Sequence, residues 1–300
     1  MKTEIAFAYS RLLLRVGLFC GLVGAPLVQA QDAASLKARY ASLHEVLAKN
    51  EFQRPLYIES SQTSGGLKGD VYAIIEQPYA VASPALRDIN HWCDILILHQ
   101  NVKNCLAVAG KTSKKGDTLQ LSVGRKFDQP LAEAYPIDFS YAVSANQSDY
   151  LQILLSADEG PMGTRSYRIL IEVVALDDKR SFLHLSYSYA YGMAARVAMQ
   201  GYLTTIGRNK RGFSIDSRKA NGEPVYTGGV RGVIERNTMR YYLAIEAYLG
   251  ALSAPASEQL EKRLNAWYAG VERYPLQLHE MERKEYLEMK HKEIQRQLDH

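Results

Sequence analysis

Cysteine is scarce in this chain, and the few cysteines present lack a redox or metal-binding pattern. The 300 residues contain three, of which Cys93 and Cys105 lie outside any CxxC spacing of the kind found in zinc and redox sites. These two could form one disulfide, which would close a short loop and stabilise the fold by roughly 3 kcal/mol in the chain-entropy model. Two buried free thiols are the alternative.

An excess of positive charge is also absent. The whole chain carries 36 basic and 32 acidic residues. The first thirty residues contain three of the basic ones and one of the acidic ones, so the chain without them has a net charge of +2. Nucleic-acid-binding proteins normally show clustered, excess basic charge. The sequence therefore predicts no nucleic-acid partner.

No apolar run spans a membrane comfortably. The stretch at residues 16–28 is shorter than the about 20 residues that a bilayer requires; it follows a basic start and ends in the small-residue sequence VQA. These features are typical of a secretory signal peptide, with an uncleaved anchor as the alternative. Cys20 follows Phe19, which is not the small residue expected before a lipoprotein cysteine. We therefore expect cleavage near Ala30 and a periplasmic or secreted protein.

Catalytic signatures are missing as well. The glycine-rich segments 160–164 and 228–232 do not join a strand to a helix as a phosphate loop requires. Ser140, Ser186 and Ser188 lack the surroundings of a nucleophile elbow. Because no two histidines share a ligand spacing such as HxxxH, we predict neither a metal nor a cofactor. The function has to be argued from shape.

What the sequence does contain is a series of strand-like segments without helices between them, which predicts an antiparallel meander. Turn-rich sequences separate these segments, which occupy residues 101–110, 118–127, 137–145, 150–157, 166–176 and 181–192. Before the meander we predict an amphipathic helix at 32–49, a linker at 60–69, a strand at 70–76 and a short helix at 83–93. Ser83 would be the N-cap of that short helix and Pro84 its first residue.

After the meander, residues 193–207 fit either a helix or a strand, and a late strand is an option around 225–233. An apolar helix is predicted at 237–252 with Asn237 as its N-cap. It is apolar nearly all round, which is typical of a helix buried on more than one side. Two further helical segments follow: an amphipathic one at 257–274, and a charged one in which Glu280–Lys284 and Glu288–Lys292 sit at i,i+4, which indicates a solvated helix.

The segment SFLHLSYSYAYG at residues 181–192 alternates with the period of two that is typical of a strand. Leu183, Leu185, Tyr187, Tyr189 and Tyr191 share one face, and smaller, hydroxyl-rich side chains share the other. Either face could be the inner one.

The order strand, short helix with a tryptophan, meander and long apolar helix resembles the helix-grip fold of the START and polyketide-cyclase-like superfamily. The sequences GDVYAIIEQPYAVASPALRDINHWC and NTMRYYLAIEAYLGAL carry this resemblance, which covers about residues 69–252. It implies an α+β fold in which a bent antiparallel sheet of six to seven strands wraps around the long helix. It also implies a cavity for a hydrophobic ligand between the sheet and the helix. With such a cavity the tyrosine face of residues 181–192 is favoured as the inner one, because aromatic rings with a hydroxyl tip suit a pocket for an amphipathic ligand.

On this basis we divide the chain into a signal peptide (1–30), an N-terminal helix and linker (31–68), a START-like core (69–254) and a C-terminal helical extension (255–300). Charges that interrupt apolar segments are costly to bury unless they are paired. Arg168 and Glu172 on a strand, and Arg240 and Glu246 on the long helix, are therefore either internal salt bridges or polar anchors for a ligand. The candidate ligand-binding residues are Arg168, Glu172, Tyr187, Tyr189, Tyr191, Arg240, Tyr241, Tyr242, Ile245 and Leu249.

The expected function is binding or carriage of a hydrophobic small molecule or lipid in an internal cavity. A basic turn with Arg208, Lys210 and Arg211 could make transient contact with an anionic membrane surface. Two alternatives stay open. One is an enzyme of the cyclase or hydrolase type, with Glu172 or Glu246 as acid or base. The other is an envelope scaffold that acts through its C-terminal helices.

Overall fold

The computed structural model describes residues 32–110, 116–205 and 207–299. The signal peptide expected at residues 1–30 lies outside these residues. Within the described ranges, no helix combines the length and the apolar character that a membrane crossing requires.

Eight antiparallel strands form the main sheet, in the order β1-β2-β8-β7-β6-β5-β4-β3. Their bounds are β1 Leu56–Gln62, β2 Gly66–Ile75, β3 Val102–Val108, β4 Thr118–Val123, β5 Tyr135–Asn146, β6 Tyr150–Glu159, β7 Thr164–Ala175 and β8 Ser181–Tyr191. A separate hairpin consists of β9 (Ile215–Arg218) and β10 (Pro224–Tyr226). The meander predicted from the sequence runs from β3 to β8, and each neighbouring pair is antiparallel.

The linker predicted at residues 60–69 is wrong, because this segment forms a hairpin between β1 and β2. Its turn residues make only the tight connection, in which the Thr63 amide donates to the Gly66 carbonyl at 2.9 Å. Gly69 has a structural role within β2, since a Cβ atom there would lie 2.5 Å from the Thr238 hydroxyl oxygen. The absence of that atom lets the long helix approach the sheet closely.

The short helix predicted at 83–93 is two helices, α3 (Tyr79–Arg87) and α4 (Ile89–Leu96), which follow α1 (Ala33–Ser42) and α2 (His44–Ala48). Pro78 is the N-cap of α3, so Ser83 and Pro84 lie inside that helix rather than at its start. Asp88 begins α4, because its carboxylate accepts from the Asn90 amide at 2.9 Å. The interruption at Asp88 explains why one continuous helix was the wrong expectation.

The segment that the sequence left undecided is a helix, α5 (Met193–Thr204). The long helix α6 (Gly229–Ala251) begins eight residues before Asn237, which is therefore not its N-cap. Gly229 adopts a positive φ of 57° at this start, a conformation that glycine reaches without strain. The late strand expected around 225–233 is reduced to β10, because α6 takes up the remainder of that segment.

Helix α6 lies between the inner face of the sheet and the C-terminal helices α7 (Ala256–Glu272) and α8 (Pro275–Leu278), while α9 (Arg283–Leu298) packs on α7 and directly on β3. The last of these is not the solvated helix that its charge pattern predicted. Lys290 and Glu293 of α9 are fully buried with Lys103 of β3, and Glu293 accepts from Lys103 at 2.9 Å and from Lys290 at 2.6 Å. Buried charges of this kind need such partners.

The opposite, outer face of the sheet is partly covered by α1 and α2. Leu36, Leu43 and Leu47 pack there against Tyr72, Phe182 and other outer-face side chains in a second, smaller core. From β2 through α3 and α4, the six-stranded meander and α6, the chain has the helix-grip arrangement that was expected. Strand β1 brings the sheet to eight strands, slightly more than predicted.

Candidate functional site

The tyrosines of β8 point inward, as predicted. Tyr187, Tyr189 and Tyr191 share the main core with side chains of α6, whereas Phe182, from the opposite face of the strand, belongs to the outer core. The alternation of the strand determines this division, because a register in which leucines and tyrosines face α6 buries the larger apolar area.

Aromatic rings from two strands and from α6 meet in front of this face. Tyr167 of β7 stacks on Tyr189 with ring centroids 5.3 Å apart, and Tyr187 lies 5.6 Å from Tyr189. Tyr241 of α6 meets Tyr187 edge-on at 5.4 Å. Such contacts hold the rings in fixed orientations. We call these four residues, Tyr167, Tyr187, Tyr189 and Tyr241, the tyrosine cluster.

Three hydroxyl groups of the tyrosine cluster have no protein partner. Tyr167 donates to the Thr164 hydroxyl at 2.7 Å. In the described part of the chain, no group hydrogen-bonds the hydroxyls of Tyr187, Tyr189 or Tyr241. Burial raises the pKa of all three, most strongly for Tyr187. They are therefore neutral hydroxyl groups that can donate a hydrogen bond to a water molecule or to a ligand oxygen.

A stripe on α6 leads to the tyrosine cluster. Val230, Val233, Asn237 and Tyr241 follow one another at helical spacing and keep intermediate exposure, although most of their neighbours in α6 are buried. Val230, at one end, lines a pocket of about 310 Å³ together with Tyr191 and three residues of α5. The pocket is lined by Tyr191 but not by Tyr187, Tyr189 or Tyr241. We call the interface between the α6 stripe and the tyrosine cluster the chamber, as the place where a ligand is proposed to bind, and we call this pocket its mouth.

His99, in the loop that follows α4, packs against Tyr241 of the tyrosine cluster. Its ring stacks on Tyr241 with centroids 4.7 Å apart, and its Nδ1 accepts from the Asn101 amide at 3.1 Å. Burial and the nearby Arg240 hold the pKa of His99 well below its usual range, so the ring is neutral. Its Nε2 is buried without a hydrogen-bond partner among the residues described. His99 thus adds one more unused polar atom beside the tyrosine cluster.

Arg168 and Glu172 do not line the chamber. Both lie on the outer face of β7, where Arg168 is exposed and Glu172 is fully buried. The two residues therefore form neither the internal salt bridge nor the polar anchor that the sequence suggested. Glu172 lies next to Val174, which packs with Leu36 of α1 in the second core, whereas Arg168 lies outside that core.

Glu172 belongs to a buried network that spans four strands. Its carboxylate shares a hydrogen bond with His184 Nδ1 at 2.7 Å and accepts from the Tyr150 hydroxyl at 2.5 Å. His184 Nε2 lies 2.9 Å from Asp70. Burial opposes a charged ring, but the hydrogen bonds to Asp70 and Glu172 outweigh it and raise the pKa of His184. We call Asp70, His184, Glu172 and Tyr150 the outer network.

The candidates on α6 divide between its faces. Tyr241 faces the tyrosine cluster, and Ile245 continues the same side one turn further on, in the closed part of the core. Tyr242 turns toward Arg54, which donates to the Tyr242 hydroxyl at 3.0 Å and also pairs with Glu246. Leu249 lines a small pocket on that side together with Arg54 and Glu246. Tyr242 and Leu249 are therefore separate from the chamber.

Arg240 points away from the sheet, toward the segment after α8. It donates to Glu280 at 2.9 Å, and the same carboxylate also pairs with Lys126 and, at 3.5 Å, with Lys210. Burial would raise the pKa of Glu280, but Arg240 and Lys126 lower it. This ion cluster replaces the Glu280–Lys284 pair expected from the i,i+4 spacing. Lys292 of α9 likewise pairs with Asp128 rather than with Glu288.

The two cysteines form the disulfide that was one of the two expectations from the sequence. Cys93 of α4 and Cys105 of β3 are joined by a disulfide.

Tyr167, His99 and Asn237 belong to the site but were not among the candidate residues predicted from the sequence. Tyr167 shares the inward parity of Ile169 and Ile171 in its strand, so the alternation would have placed it. His99 had no such signal, because it lies in the loop after α4.

Comparison with known proteins gives a likeness of fold. No family model matches the chain, and no curated protein matches it. Similar solved structures include a START superfamily protein from Mycobacterium smegmatis (11% identity, TM-score 0.31), with 50% of this chain and 92% of that chain covered. Another is the Zhui aromatase/cyclase from Streptomyces sp. R1128 (10% identity, TM-score 0.31), with 73% of this chain and 96% of that chain covered.

Human STARD10 is also similar, at 10% identity and a TM-score of 0.31, over 60% of this chain and 77% of that chain. These matches all have low identities and low TM-scores. At such identities they concern the fold alone, so the function has to be argued from this chain's own residues.

Proposed function

We propose that the protein binds or carries a hydrophobic, lipid-like molecule in the chamber between its sheet and α6. The observation that carries this proposal is the set of three tyrosine hydroxyls, on Tyr187, Tyr189 and Tyr241, that lack a protein partner in the described structure. None of these three oxygens is among the fully buried polar atoms without a partner in the described residues, so they keep some accessible surface. A ligand oxygen would accept hydrogen bonds from them.

The chemistry of the chamber suits an amphipathic ligand. Tyrosine rings provide apolar area, and their hydroxyls provide a few fixed donors, which is the usual composition of a small-molecule pocket. Val230 and Val233 of α6 add purely apolar surface between the mouth and the tyrosine cluster. The ligand would therefore be mainly hydrophobic and carry a small number of hydroxyl, carbonyl or carboxylate oxygens.

The enzyme alternative has less support from the same geometry. Glu172, one proposed acid or base, lies in the outer network on the opposite side of the sheet. Glu246, the other, pairs with Arg54 and accepts from the Tyr242 hydroxyl, away from the tyrosine cluster. Neither carboxylate faces the chamber, and this favours binding over turnover.

Export is part of the proposal. The signal-peptide pattern at residues 1–30 supports a periplasmic or secreted protein, and so does the disulfide between Cys93 and Cys105, since disulfides persist in oxidising compartments. A carrier in that compartment would move its ligand through an aqueous phase.

The test begins with native mass spectrometry of the mature protein purified from the envelope of its own host. We expect a stoichiometric apolar adduct that can be extracted and identified. A fluorescent fatty-acid probe then measures uptake by Asn237→Trp, whose indole would fill the chamber. Ala266→Trp, on the exposed side of α7, is the matched control.

We expect the Asn237→Trp protein to lose most of its probe binding and the Ala266→Trp protein to retain it. Two outcomes would contradict the proposal: no adduct together with no probe uptake, or uptake that Asn237→Trp leaves unchanged. In the second case the probe would bind elsewhere on the protein.

A further inference from the structure

Helix α5 exposes apolar side chains where a surface helix normally carries charge. Met193 is 72% exposed and Val197, one turn further on, is 60% exposed. Met162, 55% exposed, lies in the short 3-10 turn that contacts α5. An exposed apolar cluster of this kind usually marks an interaction site. We call Met162, Met193 and Val197 the α5 surface.

The charge around the α5 surface has one sign along the chain. No aspartate or glutamate occurs from residue 179 to residue 215, a stretch that includes Arg196, Arg208 and Arg211, while its Lys210 is paired with Glu280. Arg196 belongs to α5, and Arg208 and Arg211 are exposed in the loop that follows it. Arg165 of β7 is also close, because a Cβ atom on Gly192 would lie 3.6 Å from its guanidinium.

The α5 surface is next to the mouth of the chamber. Arg196 and Gln200, at helical spacing from Met193, and Met199 of the same helix line the mouth with Tyr191 and Val230. Arg196 also lies over the Tyr191 ring, 5.8 Å from its centroid. Whatever binds the α5 surface is therefore in a position to receive or deliver a ligand through the mouth.

We propose that the α5 surface docks on an anionic lipid bilayer and places the mouth of the chamber against it. Interfacial helices insert apolar side chains at the level of the lipid headgroups, and neighbouring arginines are attracted to anionic lipids. Met193 and Val197 supply the first contribution, and Arg196, Arg208 and Arg211 supply the second. The inference deepens the proposed function, on which it rests, by naming the place where a lipid-like ligand enters.

Sedimentation with vesicles tests this proposal. The mature protein is mixed with vesicles of phosphatidylcholine, either alone or with added phosphatidylglycerol, at low and at high salt. We expect binding to the anionic vesicles that weakens with salt, and little binding to the neutral ones. The double variant Met193→Asp/Val197→Asp should lower the partition coefficient about tenfold or more.

Leu276→Asp/Leu298→Asp is the matched control, because it changes two exposed leucines of α8 and α9 far along the chain from α5. It should bind anionic vesicles like the unmodified protein. Arg208→Gln/Arg211→Gln should weaken binding to anionic vesicles and reduce its salt dependence.

Several outcomes would overturn the docking proposal. They are an unmodified protein that stays in the supernatant with anionic vesicles, binding that the Met193→Asp/Val197→Asp change leaves intact, or equal binding to neutral vesicles at any salt. A dimer that the same change dissociates would assign the surface to a second copy instead. Probe uptake by each variant is measured separately. Vesicle binding without uptake would reject the proposed function and leave the docking surface standing.

Discussion

Neighbouring tyrosines of this sheet differ in whether their hydroxyl group has a hydrogen-bond partner in the protein. The Tyr167 hydroxyl donates to Thr164, whereas the hydroxyls of Tyr187 and Tyr189 have no such partner in the described structure. Since a made hydrogen bond stabilises a protein and an accessible hydroxyl without a protein partner does not, removal of the Tyr167 oxygen should cost more stability than removal of the Tyr189 oxygen. The comparison separates a side chain that serves the fold from side chains that are available to a ligand.

We therefore predict that Tyr167→Phe lowers the free energy of unfolding by about 1 kcal/mol, while Tyr189→Phe leaves it nearly unchanged. Tyr189→Phe should instead weaken binding of the native ligand, because it removes a free donor. Urea unfolding measures the first effect, and competition with the fluorescent probe measures the second. Equal destabilisation by the two changes would mean that the Tyr189 hydroxyl has a partner in the free protein.

His184 makes the stability of the protein depend on pH. Its pKa is raised above the ordinary value of 6.5, so the charged ring is favoured in the folded state. Asp70 and Glu172 face the ring edges, Tyr72 stacks on the ring, and Lys68 pairs with Asp70. The contribution of His184 is complete below pH 6.5 and is lost as pH rises through its folded pKa.

We predict that the free energy of unfolding falls as pH rises from about 6 toward 9, and that His184→Gln abolishes most of this slope. Chemical denaturation at a series of pH values measures it. The control is His291→Gln, because the pair of His291 with Glu261 is exposed and solvent screens it. A slope that survives in His184→Gln would show that other groups produce it.

The inner side chains were predictable from the sequence to a greater extent than the outer ones. Period-two alternation was enough to place Tyr187, Tyr189 and Tyr191 on a common face. It could not distinguish Arg168 from Glu172, because the two share a face and differ only in what covers them. That cover is α1, whose position on the sheet depends on tertiary packing rather than on any local pattern.

At the scale of elements, the C-terminal helices are joined to the core by charge as much as by apolar contact. Glu280 follows α8 and faces Arg240 of α6, Lys126 after β4 and Lys210 after α5. The i,i+4 pattern of this segment predicted a solvated helix, and that prediction was wrong because local spacing does not contain long-range partners. A buried cation that loses its only carboxylate is strongly destabilised.

We predict that Glu280→Gln lowers the free energy of unfolding by about 3 kcal/mol, because it leaves the buried Arg240 guanidinium without its carboxylate. Glu288→Gln, whose pair with Lys284 at 3.8 Å is exposed, should change it by less than about 1 kcal/mol. Thermal and urea unfolding of the two variants check this. Similar, small effects would mean that water already solvates Arg240.

At the scale of the whole molecule, the two faces of the sheet have different tasks. The inner face packs against α6, where we propose the ligand site, and the outer face holds the N-terminal helices through the second core and the outer network. The helix-grip order of elements was readable from the sequence because each element has a local signature. The start of α6 at Gly229 was not, since its glycines resemble a turn and the first turn has no side-chain N-cap.

The disulfide links two elements of the fold, and bonds of this kind persist in oxidising compartments. Cys93 and Cys105 are 12 residues apart and join α4 to β3, next to the fully buried Trp92. A loop of this size contributes roughly 3 kcal/mol in the chain-entropy model. We predict that Cys93→Ala/Cys105→Ala, or reduction of the unmodified protein, lowers the melting temperature by several degrees.

The export proposal predicts two properties of the native protein: a cleaved N-terminus and a closed disulfide. We expect the chain from the envelope fraction of its host to begin at Gln31 and to resist thiol labelling until it is denatured and reduced. Intact mass spectrometry with and without labelling measures both properties at once. A chain that retains residues 1–30 in a cytosolic fraction, with both thiols free, would contradict the export proposal. The chamber would then have to serve a ligand of the cell interior.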